Sequence, residues 1–200
     1  MNGLVLTTQR AARIFEDMVS CRRDYCADDE NFKMTDVWKY LCEGSAEWKI
    51  KLFRRGQKDL DRPQAAVAEL NHNVRLTVSE ELWADADRVD ELSNFILAHE
   101  IGHLELKHNS RFATRHFQMA SGIEGYSILP KSYYELEADF AAVVFQCGVA
   151  LLDFQLSAVE LANRAFCDVE QVRNAQRMVQ LGIFRRELAR PRPVYPRVVL

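Results

Sequence analysis

The sequence predicts an α+β fold on two observations. Three short stretches with strand character lie close together between residues 48 and 78, and apolar residues on either side of them recur at helical spacing. A chain of 200 residues is long enough for one domain with a sizeable core and short for two of full size. Residues 1–190 are therefore expected to form a single domain, with residues 191–200 as an extended Pro-rich tail.

Thr8 to Ser20 carries Ala11, Ile14, Phe15, Met18 and Val19 at helical spacing, which predicts an amphipathic first helix. Polar "RRDYCADDENFK" separates it from a short helix near Asp36 to Cys42. Strands are expected at Trp48–Phe53, Ala65–Leu70 and Val74–Val78, the last reading "VRLTV" with its apolar residues alternating. The segment "RRGQKDLDRPQ" supplies turn chemistry between the first two. From Asp90 the pattern becomes helical, with Leu92, Phe95, Ile96, His99, His103 and Leu106 sharing one face. A polar connection from Asn109 to Lys131 follows, as long as functional loops and lids tend to be. A long helix from about Ser132 to Leu152, then shorter ones near Ser157–Ala165 and Val169–Leu181, complete the domain. No internal repeat is present.

Composition is that of a soluble globular protein, 48% hydrophobic and 28% charged. With 26 Lys+Arg against 29 Asp+Glu the net charge is -3, so nothing electrostatic favours a polyanion as the main partner. The five cysteines, Cys21, Cys26, Cys42, Cys147 and Cys167, are odd in number and lack CxxC pairing, so reduced thiols are expected. The start, "MNGLVLTTQR", does not read as a secretory signal. The longest apolar run, Phe140 to Phe154, is broken by Gln146 and Gly148 and falls short of the ~20 residues a membrane span needs. A cytoplasmic protein that engages no membrane is the expectation.

The chemistry is concentrated in "FILAHEIGHLELKH", residues Phe95 to His108. Residues four apart on a helix are turned by about 40° and lie one turn up, so the imidazoles of His99 and His103 can reach one tetrahedral ion. Glu100 can then project beside the metal and take a proton from bound water, the HExxH arrangement. Gly102 within the spacing lets another backbone or a substrate approach closely, at a cost of ~1 kcal/mol relative to alanine. Two ordinary core histidines would leave a carboxylate and two imidazoles needing partners on or beside an apolar face.

A hydrolytic zinc site takes three protein ligands and leaves a fourth position to water. In "SYYELEADFAA", Glu135 and Asp139 are one turn apart, so Glu135 could bind metal while Asp139 accepts a hydrogen bond from a ligand histidine. Glu137 is the alternative ligand, and His108 and His116 are further possible donors. Glu135 also fits a capping box with Ser132. Tyr133, Tyr134, Arg115 and His116 lie where an oxyanion stabiliser could be drawn from, and none stands out. Leu161 to Met178 has the rhythm of a helix-turn-helix, but Arg164, Arg173 and Arg177 are balanced by Glu160, Asp168 and Glu170, so DNA binding is not expected.

"LAHEIGHLELKH", then "ELEADFAA", then "LSAVELANRAFCDVEQVRNAQRMVQLG", in that order, resemble the ImmA/IrrE family of zinc metallopeptidases over roughly Asp36 to Gly182. The resemblance implies a zincin-like fold in which a small sheet packs with the HExxH helix. It implies one Zn2+ per chain on His99, His103 and Glu135, with Glu100 as general base. It also implies an endopeptidase that cuts a helix-turn-helix transcriptional repressor to relieve repression. Here Asp139 is followed at once by Phe140, and "VVFQCGVALLDF" stands where the family commonly has a proline, so the helix is expected to run long. The competing expectation is a non-catalytic regulatory protein, binding a partner or DNA, in which metal only holds the helices together.

Overall fold

The computed structural model describes residues 5–27, 31–54, 64–70, 73–108 and 133–190. Among these it contains eight α-helices and one three-stranded mixed sheet, an α+β architecture. In chain order the elements are α1 (Thr8–Arg23), α2 (Met34–Gly44), β1 (Trp48–Phe53), β2 (Ala65–Leu70), β3 (Asn73–Ser79), α3 (Glu80–Asp87) and α4 (Glu91–Glu105). After them come α5 (Tyr133–Cys147), a 3₁₀ turn (Gly148–Leu152), α6 (Ala158–Ala165), α7 (Val169–Gln180) and α8 (Gly182–Leu188). No helix among the described residues is long and apolar enough to cross a membrane.

The sheet has the order β1-β3-β2, with β1 parallel and β2 antiparallel to β3. Val74, Leu76 and Val78 alternate inward on the central strand, and Ala65 and Val67 of β2 are buried with them. Because Ser79 N–H donates to the Gln64 carbonyl, the even-numbered residues of β2 bond to β3. Ala65, Val67 and Glu69 therefore point their backbone groups away from the sheet. That outer edge is the one that meets α4.

Two helices absent from the sequence reading appear, α3 and α8. α3 starts directly at the end of β3, where the Ser79 hydroxyl caps the Leu82 amide at 3.2 Å. The long helix expected over Ser132–Leu152 is cut short. α5 stops at Cys147 because Gly148 takes a positive φ of 57°, and the chain continues as a 3₁₀ turn. A Cβ at Gly148 would lie 2.7 Å from Arg22 Nε, so the glycine also makes room for that buried side chain. Arg22 Nη1 donates to the carbonyl oxygens of Phe145 and Gln146 at 2.8 and 2.9 Å, placing its positive charge at the C-terminal end of α5.

α4 is held from several sides. Asp90 caps its first turn through the Ser93 amide at 2.8 Å. Asn94, fully buried, accepts the Met34 amide at 2.8 Å and donates to the carbonyl oxygens of Ala86 and Asp90 at 2.8 and 2.9 Å. That side chain pins the ends of α2 and α3 to α4. Trp38 Nε1 of α2 donates to the Leu97 carbonyl at 3.2 Å. Leu97, Ala98, Ile101 and Leu104 point into the core, whereas Leu92 on the histidine-bearing stripe is more than half exposed. The stripe read from sequence is thus the more open side of a largely buried helix.

α4 and α5 pack at very close range through Gly102. A Cβ there would lie 3.0 Å from the Ala138 carbonyl oxygen, 3.2 Å from Ala138 Cα and 3.1 Å from Ala141 Cβ. Two of these neighbours are backbone atoms and cannot rotate away. Gly102→Ala should gain ~1 kcal/mol of helix propensity and lose roughly 1–3 kcal/mol to overpacking, a net loss of order 1 kcal/mol. Urea unfolding checks this, and an unchanged or raised midpoint would show that the contact has slack.

Candidate metal centre

The close approach at Gly102 brings two residues of α5 against two of α4. His99 Nε2 and His103 Nε2 lie 2.9 Å apart, and Glu135 faces both, with Oε2 at 3.1 Å from His99 Nε2 and Oε1 at 3.6 Å from His103 Nε2. These three residues form a group that could hold a metal ion. Ligands of a tetrahedral ion with bonds of about 2.0–2.2 Å stand roughly 3.3–3.6 Å from one another, so rearrangements of a few tenths of an ångström would admit one. Two imidazoles and a carboxylate are also a donor set that suits a divalent ion such as zinc.

The electrostatics favour a cation at this point. Burial opposes a charged His99, but hydrogen bonds to Asp139 and Glu135 overcome it and push its pKa up to about 10. Burial likewise favours a neutral Glu135, yet its hydrogen bonds to His103 and His99 hold its pKa well below the usual carboxylate range. The positive charge on protonated His99 is the one these carboxylates stabilise.

The outward nitrogens of both histidines are engaged. His99 Nδ1 lies 3.0 Å from Asp139 Oδ1, the arrangement anticipated from the one-turn spacing of Glu135 and Asp139. His103 Nδ1 lies 3.0 Å from His108 Nδ1. His108 Nε2 is in turn 3.0 Å from Glu137 Oε2. Glu137 receives Arg10 in a forked pair, Nε to Oε1 at 2.8 Å and Nη2 to Oε2 at 2.6 Å.

The positions of the sequence candidates are therefore distinct. Glu135 is the carboxylate that joins the two histidines, and Glu137, the alternative ligand, faces His108 and Arg10 instead. His108 approaches the far side of His103, not the point where the Nε2 atoms converge. Glu100 is buried on the β2 side of α4, where its Oε2 accepts the Val67 amide at 2.8 Å. It is still close enough to His99 to favour that imidazole's charged form. The Tyr134 ring packs edge-on against His108 with centroids 4.8 Å apart, and Tyr133 packs against the core. Ser132, Arg115, His116 and the Asn109–Lys131 connection lie outside the described residues.

All five cysteines are free thiols. Burial pushes the Cys21 thiol far up, with Glu105 adding to the shift, so it is a poor nucleophile. The helix pair read as a helix-turn-helix is present as α6 and α7 and is seated on α5, where Gln146 Nε2 donates to the Phe166 carbonyl at 2.9 Å. Arg10 had no sequence signal: it joins Glu137 across 127 residues.

Comparison with family models, curated proteins and solved structures returns no match.

One metal ion per chain is expected at saturation, measured by elemental analysis after dialysis. His99→Ala or His103→Ala should abolish tight binding and Glu135→Ala should weaken it strongly, because each removes one of three ligands. Full metal retention in the His99→Ala, His103→Ala double variant would place the site elsewhere.

Proposed function

We propose that this chain is a zinc-dependent endopeptidase with a zincin-like site, of the kind its motifs resemble in the ImmA/IrrE family. The observation that carries the reading is the convergence of His99, His103 and Glu135 with a buried Glu100 one residue along from the first ligand. His99, His103 and Glu135 would hold the ion. Bound zinc supplies Lewis-acid polarisation of the scissile carbonyl and makes water a better nucleophile at neutral pH.

Glu100 acts as the general base, taking a proton from the attacking water and passing it to the leaving amine. The Val67 amide holds Oε2, which orients the carboxylate and leaves Oε1 for the proton. Asp139 keeps His99 turned so that Nε2 faces the ion. A peptide substrate must enter as extended backbone.

One observation favours a second reading, in which metal only fastens the helices. The Glu100–Val67 bond is itself a structural tie between α4 and β2. Glu100→Gln separates the two, since its amide oxygen still accepts from Val67 N–H but cannot take up a proton. The variant should keep fold and metal content and lose proteolysis by several orders of magnitude. An unchanged rate on a verified substrate would remove Glu100 from the mechanism.

For substrate we propose a separate helix-turn-helix repressor, cut at an exposed linker or interhelical loop, on the strength of the family resemblance. The protein should then be nearly inert toward unrelated unfolded chains. Incubating zinc-loaded protein with casein and with repressors encoded beside its own gene tests this. Rapid digestion of casein with every repressor intact would rule the idea out.

A further inference from the structure

We propose that His108, Glu137 and Arg10 form a positioning relay for His103: they set the tautomer and rotation of its imidazole and fasten the metal centre to the first turn of α1. This rests on the metal-binding part of the proposed function and not on proteolysis. The direction of the relay follows from donor and acceptor counting. A neutral imidazole that offers Nε2 to a cation carries its proton on Nδ1. His103 Nδ1 faces His108 Nδ1 at 3.0 Å, and an N–H···N bond needs one donor and one acceptor. His108 therefore accepts at Nδ1 and carries its own proton on Nε2. That proton points at Glu137 Oε2, 3.0 Å away, which as a carboxylate can only accept. The chain of donation thus runs from His103 to His108 to Glu137, and Arg10 closes it from the other end.

The backbone is shaped to make this contact. α4 ends with Lys107 at a positive φ of 56°, a conformation that disfavours residues with a Cβ. The turn is closed by Lys107 N–H to the Leu104 carbonyl at 2.9 Å and His108 N–H to the His103 carbonyl at 3.0 Å. The left-handed residue folds the chain back, so that His108 is bonded to His103 through both main chain and side chain. Glu137 and His108 are both buried, where an isolated carboxylate would be costly; the Arg10 fork and the imidazole N–H together offset that cost. The two ligand histidines are oriented differently. His99 meets its carboxylate directly, whereas His103 meets one through a second imidazole.

A purely structural Arg10–Glu137 pair would tie α1 to α5 without touching metal affinity, and that is the rival. The test uses the full-length chain with zinc and three variants: His108→Phe, which keeps a ring but removes the acceptor, Glu137→Gln and Arg10→Gln. Competition against a chromophoric chelator should show zinc binding loosened about ten- to a hundredfold in His108→Phe, with smaller losses down the relay. In the zinc-loaded wild type with ¹⁵N-labelled histidine, a nitrogen–nitrogen coupling across the hydrogen bond should join the two Nδ1 atoms, the proton residing on His103. Should His108→Phe fail to fold, Glu137→Gln and Arg10→Gln still carry the comparison. Folded variants that bind zinc within twofold of wild type, or a proton found on His108 Nδ1, would overturn the relay. A wild type that takes up no zinc overturns both the metal centre and the relay. Zinc binding that shows the expected losses without any proteolysis supports the relay and removes only the enzymatic reading.

Discussion

The close contact of α4 with α5 at Gly102 is the constraint on which the rest of the site depends. Glu135 and Asp139 have short reach, and they meet His99 and His103 only because the two helix backbones approach nearly to touching at Ala138. The contact could not persist between two loosely placed helices. Asn94 and Trp38 tie α4 to α2 and α3, and Arg22 holds the carbonyl end of α5. Each anchor is a buried polar group with specific partners. The helices therefore have one arrangement and not a range of sliding ones, since sliding would strand those groups without hydrogen bonds.

Around the two histidines four carboxylates gather in a small volume, and their separate partners keep them from repelling one another apart. Glu100 accepts from a strand amide, Asp139 faces His99, and Glu137 is neutralised by Arg10. Glu135 faces the two Nε2 atoms. The result is a local excess of negative charge in a chain whose overall charge is only -3. Such a concentration is stable when something positive sits within it, and the raised pKa of His99 expresses the same demand.

Local signals were legible in the sequence because they depend on residues near one another. β1 and β2 were placed at their observed ends, and α4 was found from the helical spacing that begins at Asp90. Glu135 and Asp139 were legible because a single turn of helix separates them. α3 was missed because eight residues give only Leu82 and Ala86 as buried positions, too few for a period to show. The early end of α5 was missed because Gly148, though it interrupts the apolar run, was kept inside one helix; its positive φ is tied to Arg22, far away in sequence. The order of strands in the sheet, and the part played by Arg10, His108 and Glu137, depend on tertiary contacts that no local pattern records.

The order in which the donors occur along the chain has a consequence for how the site comes into being. During synthesis Arg10 leaves the ribosome first, the two imidazoles follow, and the carboxylates of α5 arrive last. A nascent chain halted before residue 135 owns two of the three groups that would grip an ion, a pair too weak to retain one against cellular competitors. Retention would begin only when α5 has closed against α4. An ion held by these three residues would thereby be acquired late in the molecule's maturation, after the helices have docked.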